Sequence, residues 1–209
     1  LILYYMQMLA FIDNNFNGGP KHKAIDFCCG PGLFAKLLVE HLGFQQVTGV
    51  DLSEPMLNVA RNNAQTYSSQ LNFVKGDITH VPELTAHSVQ LVTCLNALHH
   101  VPSLGALEKA YSELDRICDP KGMIITIDLI RPKNNWILEN FVKLTATENA
   151  RKNQYAISED YFYSLHAAFT PSEHIASLPQ NSERNWFVVV PAVTPVYQIV
   201  IGLPKEQKQ

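Results

Sequence analysis

Short apolar segments alternate with amphipathic ones along the first 130 residues of the chain. An isolated apolar run predicts a buried strand, whereas apolar residues that recur with a period near 3.6 predict a helix. In chain order, the predicted strands are 23–29, 46–52, 71–78, 89–96 and 122–130, and the predicted helices are 33–42, 56–65 and 104–118. Because strands that alternate with helices form a mainly parallel sheet covered on both faces, this pattern predicts an α/β fold.

The segments outside this alternation complete a single predicted domain over residues 1–209. Its predicted parts are an N-terminal helix (1–20), a ligand-binding core (21–130), a helical substrate lid (131–180) and a C-terminal hairpin and tail (181–209). The lid is predicted because the segment is too long for a simple connector. Two strands, 186–190 and 196–201, are predicted to pair as an antiparallel hairpin at a sheet edge.

The composition excludes several classes of protein. Hydrophobic residues make up 46% of the chain and charged residues 17%, which is typical of a globular protein with a core. The net charge of −3 disfavours a nucleic-acid-binding surface. The apolar runs are too short for a transmembrane helix, and the first residues lack the basic segment of a signal peptide. We therefore expect a cytoplasmic protein without an integral membrane segment.

The first predicted strand ends in the sequence DFCCGPG. Gly30 and Gly32 permit positive φ and a close approach of a ligand to the backbone, and the following helix offers free N–H groups to an anion. With Ala35, the run fits the loose dinucleotide-binding pattern G-x-G-x-x-A. A plain strand-to-helix turn is the alternative. A metal site is not predicted, because the adjacent Cys28 and Cys29 diverge and have no partners at ligand spacing.

Carboxylates stand at the ends of three predicted strands. Asp26 lies in an apolar strand, and a buried carboxylate favours a ligand with a cationic group, such as the ammonium and sulfonium of S-adenosylmethionine. Asp51 follows the glycine loop at the spacing of a carboxylate that binds ribose hydroxyls, although it also suits the dipole of the next helix. Asp77 could accept a hydrogen bond from an adenine amino group, with Ile78 packed on the ring; an ordinary turn is the alternative.

The loop after the fourth strand reads NALHHVP, and its polar residues suggest a site. A metal site at His99 and His100 is disfavoured, because neighbouring side chains diverge and no further ligand stands at useful spacing. Either histidine is a candidate catalytic base or orienting residue, as is Asp128 near the end of the fifth strand, which we expect to face the cleft. Hydrogen bonds to the local backbone are the alternative role for each.

Taken together, these motifs resemble the class I S-adenosylmethionine-dependent methyltransferases over roughly residues 23–130. The stretches that carry the resemblance are DFCCGPG, GVDLSEPMLNVARNNA, FVKGDIT and LVTCLNALHHVPS. They are most similar to the small-molecule branch that includes the ubiquinone and menaquinone C-methyltransferases. One position departs from the family pattern, since Cys28 stands where the first glycine of the motif is usual.

The resemblance implies a Rossmann-like three-layer sandwich with a seven-stranded sheet of order 3-2-1-4-5-7-6 and one antiparallel strand. It implies S-adenosylmethionine as cofactor, with the methionine end near the first strand and Asn96, the ribose at Asp51, and the adenine against Leu52, Asp77 and Ile78. The cofactor-binding residues that it implies are Asp26, Cys29, Gly30, Gly32, Asp51, Leu52, Asp77, Ile78 and Asn96.

The predicted function is in-line methyl transfer to a small-molecule or lipid-like acceptor, with S-adenosylhomocysteine as product and His99, His100 or Asp128 as base or orienter. The protein is expected to be a monomer or homodimer that does not act on nucleic acid. The candidate aromatic walls of the acceptor pocket are Tyr4, Tyr5, Tyr155, Tyr161, Phe162 and Tyr163. Two alternatives remain: a non-catalytic S-adenosylmethionine-binding regulatory protein, and an NAD-binding oxidoreductase, which Asp26 and Asp77 disfavour.

Overall fold

The computed structural model of the chain describes residues 2–134, 136, 139–140, 143, 155–192 and 196–205, with the backbone alone for 2, 3 and 155–159. The strands are β1 Lys23–Phe27, β2 Gln46–Asp51, β3 Leu71–Lys75, β4 Val89–Leu95, β5 Cys118–Leu129, β6 Arg184–Val189 and β7 Tyr197–Pro204. The helices are α1 Ile2–Asn15, α2 Leu33–Glu40, α3 Glu54–Asn63, α4 Leu104–Ile117, α5 Tyr155–Ala167 and α6 Pro171–Ala176.

The seven strands form one sheet of order β3-β2-β1-β4-β5-β7-β6. Strands β1 to β5 pair in parallel, and β7 runs antiparallel to both of its neighbours, β5 and β6. The predicted fold class, strand order and single antiparallel strand are therefore confirmed. Because the winding reverses between β1 and β4, a crevice opens at the carboxyl ends of these strands, which is where open α/β sheets bind ligands.

The fifth strand begins earlier than predicted. It starts at Cys118, directly after α4, and not at 122, because Cys118 pairs with Val89 of β4 before the register shifts between Val89 and Leu91. Pro120 and Gly122 lie in this early part of the strand. The shift accommodates them, as a β-bulge does when a proline lies within a strand.

Apolar side chains fill both faces of the sheet. On one face the fully buried residues include Ile12 of α1, Leu38 of α2 and Leu57 of α3. On the other face they include Leu107 and Leu114 of α4. Burial of each such side chain stabilises the fold by about 1.5–3 kcal/mol. In the part of the chain that the structure describes, no helix is long and apolar enough to span a bilayer.

Helix α6 is anchored by a capping box at its first turn. Thr170 accepts a hydrogen bond from the Glu173 backbone N–H, and the Glu173 carboxylate accepts one from the Thr170 N–H. Thr170 is therefore the N-cap of this helix. Arg131 donates to the Glu173 carboxylate at 2.6 Å, which ties the chain after β5 to α6.

The buried imidazole of His174 on α6 makes the stability of the fold sensitive to pH. Its Nδ1 lies 2.5 Å from the Tyr111 hydroxyl, and burial lowers its pKa to about 4. In the unfolded chain the His174 imidazole takes up a proton below about pH 6.5, whereas in the folded chain it stays neutral down to about pH 4. The contribution of the neutral His174 to the stability of the fold is therefore complete above about pH 6.5 and is lost as the pH falls toward 4.

We expect the free energy of unfolding of the unmodified chain, relative to that of His174→Phe, to fall by about 3 kcal/mol between pH 7.5 and pH 4. Urea titrations at both pH values measure it. The His174→Phe chain is the reference because it keeps an aromatic side chain that does not titrate. An identical pH dependence in the two chains would contradict the assignment of a buried neutral imidazole.

Candidate active site

A cavity of about 680 Å³ opens at the carboxyl ends of β1, β2, β3 and β4. Its volume falls within the range of small-molecule and cofactor sites, about 300–1,000 Å³. Six of the nine predicted cofactor-binding residues line it, namely Gly30, Asp51, Leu52, Asp77, Ile78 and Asn96. These residues come from four successive strand ends, so the parallel sheet alone brings them together. We call this space the larger cavity.

The two glycines of the loop after β1 serve different purposes. Gly30 has φ of +52°, and a Cβ atom built on it would meet nothing within 4 Å. This glycine lines the larger cavity, so its missing side chain leaves room for a ligand. Gly32 has φ of +74°, and a Cβ there would lie 2.8 Å from the Phe73 ring and 2.9 Å from Ala60. Gly32 therefore permits close packing of α2 and does not itself line the cavity.

Cys28, which occupies the usual glycine position, adopts φ of +52° and lines the larger cavity. A left-handed conformation costs a residue with a side chain about 1–2 kcal/mol. Cys29 lies on the other side of the strand, where its N–H donates to the Val50 carbonyl at 3.0 Å and its thiol is buried. The two thiols thus belong to different faces, and the described residues contain no cluster of potential metal ligands.

Asp51 at the end of β2 is held by backbone donors. Its Oδ2 accepts a hydrogen bond from the Gly30 N–H and its Oδ1 from the Ser53 N–H, both at 2.8 Å. Each oxygen retains accepting capacity toward the larger cavity, which Asp51 also lines. A carboxylate oriented in this way suits a vicinal diol, because each oxygen can accept from one hydroxyl.

The other end of the larger cavity combines one carboxylate with apolar side chains. Oδ1 of Asp77 accepts from the Thr79 N–H and hydroxyl, both at 2.8 Å, so Oδ2 remains available. Ile78 is buried in the wall, whereas Leu52 and Met56 at the rim are 64% and 46% exposed. Exposed apolar side chains around a cavity suit a flat ring. Thr79 and Met56 were not predicted as site residues.

Three predicted cofactor residues lie behind the cavity wall: Asp26, Cys29 and Gly32. Asp26 is 2% exposed, and its Oδ1 accepts from the Thr93 hydroxyl at 2.7 Å. Among the described residues no cationic side chain pairs with it. Burial, with a smaller contribution from Asp51, raises the pKa of Asp26 to about 7. Its role toward the cofactor stays a prediction.

Asp26 should make cofactor binding depend on pH. An ammonium group near the loop favours the ionised carboxylate, so binding should strengthen as the pH rises through the pKa of about 7. We expect S-adenosylmethionine to bind about tenfold more tightly at pH 8 than at pH 5.5. In Asp26→Asn this slope should vanish. Calorimetry across the pH range measures both chains, and an unchanged slope in Asp26→Asn would contradict the interaction.

A histidine–carboxylate pair lies beside the larger cavity. The backbone N–H of His99 donates to Asp128 Oδ2, and His99 Nδ1 lies 2.6 Å from Oδ1. The Leu129 N–H donates to the same Oδ1 at 2.8 Å. Asp128 was expected to face the cleft. That expectation is wrong, because Asp128 is 1% exposed and lies behind the 6% exposed His99. Its carboxylate fixes the ring and leaves Nε2 as the nitrogen available to a ligand.

A second cavity of about 220 Å³, here the smaller cavity, adjoins this pair. It is larger than the roughly 150 Å³ that accommodates a benzene molecule. His99 lines it together with Tyr161 of α5 and Tyr197 of β7, and it shares Asn96 and His100 with the larger cavity. The two cavities therefore meet at Asn96 and His100.

The predicted aromatic walls are only partly brought to this site. Tyr161 lines the smaller cavity, whereas Phe162 and Tyr163 line neither cavity. The side chain of Tyr155 lies outside the described residues. Tyr4 and Tyr5 pack from α1 onto Tyr197 and Phe34, with ring centroids 5.8 and 5.3 Å apart. Tyr197 was not predicted, because nothing in its sequence surroundings marks it as a site residue.

The sheet order, the glycine loop and the carboxylate at the end of β2 together define a class of protein, the Rossmann-like enzymes that bind a nucleoside-containing cofactor. A family model described as a methyltransferase domain matches residues 24–122. This segment is therefore similar to a methyltransferase domain, in agreement with the predicted resemblance to class I S-adenosylmethionine-dependent methyltransferases.

Curated relatives agree with this assignment. Ubiquinone biosynthesis O-methyltransferase of Idiomarina loihiensis is 35% identical over 130 residues, which cover 62% of this chain and 51% of that protein. Demethylmenaquinone methyltransferase of Leptospira interrogans is 32% identical over 128 residues, covering 60% and 49%. The chain thus spans about half the length of the curated relatives that it matches.

Solved structures share the fold. A protein from Pyrococcus horikoshii superposes with a TM-score of 0.65 at 18% identity, covering 96% of this chain and 91% of that one. Geranyl diphosphate C-methyltransferase from Streptomyces coelicolor, solved with Mg²⁺, geranyl diphosphate and S-adenosylhomocysteine, has a TM-score of 0.64 at 14% identity and covers 94% and 78%. At these identities the similarity concerns the fold.

Proposed function

We propose that this chain transfers the methyl group of S-adenosylmethionine to a small cyclic acceptor that carries an acidic hydroxyl or an acidic carbon. The cofactor would occupy the larger cavity and the acceptor the smaller one. The observation that carries the proposal is that the two cavities meet at Asn96 and His100, beside the paired His99 and Asp128.

The residues of the larger cavity fit the cofactor. The open space at Gly30 allows the methionine part to approach the backbone, and Asp51 presents two oriented acceptors to the ribose hydroxyls. The free Oδ2 of Asp77 suits the adenine amino group, with Leu52 and Ile78 against the ring. When bound, S-adenosylmethionine supplies a methyl carbon that its sulfonium already activates. The protein then contributes mainly alignment.

His99 is proposed as the general base. If Asp128 accepts the hydrogen bond from Nδ1, Nε2 is the ring nitrogen that can take a proton from the acceptor as the new bond forms. His99 lines the smaller cavity, where the acceptor is proposed to bind. Asp128 is a positioning residue, since it holds the ring and stabilises its protonated form. His100 lines both cavities, and partial desolvation of its ring lowers the pKa of its imidazole. Among the described residues no hydrogen bond orients its ring as Asp128 orients His99, so it is the weaker candidate.

The acceptor is proposed to resemble a quinone precursor. The names of the two relatives refer to ubiquinone and demethylmenaquinone, and the smaller cavity has the volume of one substituted ring. Tyr161 and Ser164 of α5 contribute to its wall, which supports a covering role for α5, a described part of the predicted lid. A lipid-like tail on the acceptor belongs to the same proposal.

A screen of quinone precursors and of a metabolite extract tests the function. We expect S-adenosylhomocysteine to be released, with a mass increase of one methyl group in the product. Binding of S-adenosylmethionine without transfer to any quinone precursor would favour a non-catalytic role. Binding of NAD in its place would exclude the proposal altogether.

A further inference from the structure

Two thiols meet at the wall of the larger cavity. Cys28 lines this cavity and is partly exposed. Cys94 on β4 is completely buried, and its thiol forms a hydrogen bond with that of Cys28. The pair thus joins a sulfur atom that a solute in the cavity can reach to a second sulfur atom in the core beside it.

The backbone explains why these two thiols come together. Phe27 of β1 is the register partner of Cys94, so Cys28 stands one position beyond that partner. In a regular strand, the side chain of Cys28 would point to the opposite face of the sheet. Its φ of +52° breaks this alternation, and Cys28 packs against the apolar cluster that contains Phe27 and Cys94. Cys29 belongs to the cluster on the other face.

The two cysteines differ in what can reach them. A solute that enters the larger cavity meets Cys28 first, because no surface of Cys94 is exposed. The hydrogen bond with Cys28, together with burial, raises the pKa of the Cys94 thiol, so Cys94 keeps its proton at neutral pH. The remaining thiols, those of Cys29 and Cys118, are buried and line neither cavity. Cys28 is therefore the thiol that reacts first, and Cys94 is the thiol placed to react with it.

We propose that Cys28 is a site of reversible oxidation in the wall of the cofactor cavity, and that its disulfide with Cys94 lowers the affinity for the cofactor. Hydrogen peroxide is the oxidant. The Cys28 sulfur attacks one peroxide oxygen, the O–O bond breaks, and Cys28 becomes a sulfenic acid with release of water. The Cys94 sulfur then displaces the hydroxyl group from the Cys28 sulfur, and this hydroxyl leaves as water with the proton of Cys94. The two thiols lose two electrons, which reduce the peroxide to water.

The disulfide should displace the loop after β1. An S–S bond of about 2.05 Å is shorter than a hydrogen-bonded contact between two thiols, so the Cys28 sulfur has to move toward β4. Two residues later, the Gly30 N–H donates to Asp51, the residue proposed to bind the ribose. A shift of the loop therefore disturbs the groups that hold the cofactor. This effect on affinity rests on the proposed function, since it assumes the cofactor in the larger cavity.

Mass spectrometry of the full chain after treatment with hydrogen peroxide tests the disulfide. We expect a loss of two hydrogen atoms, crosslinked peptides that contain Cys28 and Cys94, and reversal by dithiothreitol. S-adenosylhomocysteine at about ten times its dissociation constant should slow the reaction about tenfold, because it leaves only about a tenth of the chains with an open cavity. Cys28→Ala should form no crosslink, and Cys94→Ala should stop at a sulfenic acid that dimedone traps.

The matched control is Cys29→Ala, which removes the adjacent thiol on the other face of the sheet and should form the same crosslink. If Cys94→Ala does not fold, Cys28→Ala and the peptide map of the unmodified chain decide the question. A crosslink from Cys28 to Cys29, a crosslink between two chains, or the absence of any crosslink would overturn the proposal.

Calorimetry with S-adenosylhomocysteine tests the effect on affinity. The oxidised chain should bind it about tenfold less tightly than the reduced chain, within the usual range of coupling between two sites. Dithiothreitol should restore the affinity, and peroxide should leave the affinity of Cys28→Ala unchanged. Equal affinities of the oxidised and reduced chains would overturn the proposed regulation. Failure of the reduced chain to bind S-adenosylhomocysteine would overturn the proposed function and the regulation with it.

Discussion

Replacement of His99 by alanine is expected to lower kcat by about 10²–10⁴-fold, the usual contribution of a general base. The affinity for S-adenosylhomocysteine should change less than about threefold, because His99 lines only the smaller cavity. Steady-state kinetics with the acceptor found in the screen measures the first quantity, and calorimetry measures the second.

Three further variants show whether the effect belongs to this residue. Asp128→Asn should also lower kcat, since the hydrogen bond that orients His99 Nδ1 is weakened. His100→Ala should have the smaller effect of the two neighbouring histidines. His41→Ala, an exposed residue outside both cavities, is the control and should behave as the unmodified chain. If His99→Ala kept more than about a third of the unmodified kcat, the base would have to be sought elsewhere.

Replacement of Asp51 by alanine is expected to weaken S-adenosylmethionine binding by about tenfold or more. The reason is that hydrogen bonds to a charged group contribute about 1.5–3 kcal/mol, and Asp51 lines the larger cavity with further accepting capacity on both oxygens. Calorimetry with S-adenosylmethionine and S-adenosylhomocysteine measures the change. Both ligands should weaken alike, because they share the ribose.

Asp51 also accepts hydrogen bonds from Gly30 and Ser53, so a second variant separates binding from loop geometry. Asp51→Asn retains one acceptor oxygen and should lose less affinity than Asp51→Ala. Asp13→Ala removes an exposed carboxylate that pairs with Lys21 and serves as the control. Unchanged affinity in Asp51→Ala would contradict the assignment of Asp51 to the ribose hydroxyls.

The cofactor side of the site was largely predictable. Gly30, Asp51 and Asp77 each stand at or just beyond the carboxyl end of an apolar strand, and parallel strands place these ends at one edge of the sheet. Strand recognition therefore sufficed to predict that these residues converge. The separate roles of the two glycines in the loop after β1 could not be predicted from the sequence. Gly30 and Gly32 are alike in sequence, yet only the surroundings show that Phe73 lies where a side chain on Gly32 would be.

The acceptor side could not be derived in the same way. Tyr161 of α5 and Tyr197 of β7 reach the smaller cavity from elements far along the chain, and no spacing relates them to His99. The start of β5 at Cys118 was likewise decided by pairing with Val89, despite the proline and glycine nearby. Packing between distant elements and strand register depend on contacts between residues far apart in the chain, and a local sequence pattern does not encode these contacts.

The sequence by itself determined the alternation of strands and helices, the glycine loop and the carboxylates at the strand ends, because each is encoded by neighbouring residues. The tertiary structure decided that Asp128 is buried against His99. The physical reason is that the direction of a side chain depends on its hydrogen-bond partners. Here Asp128 and its partner His99 stand 29 residues apart in the chain.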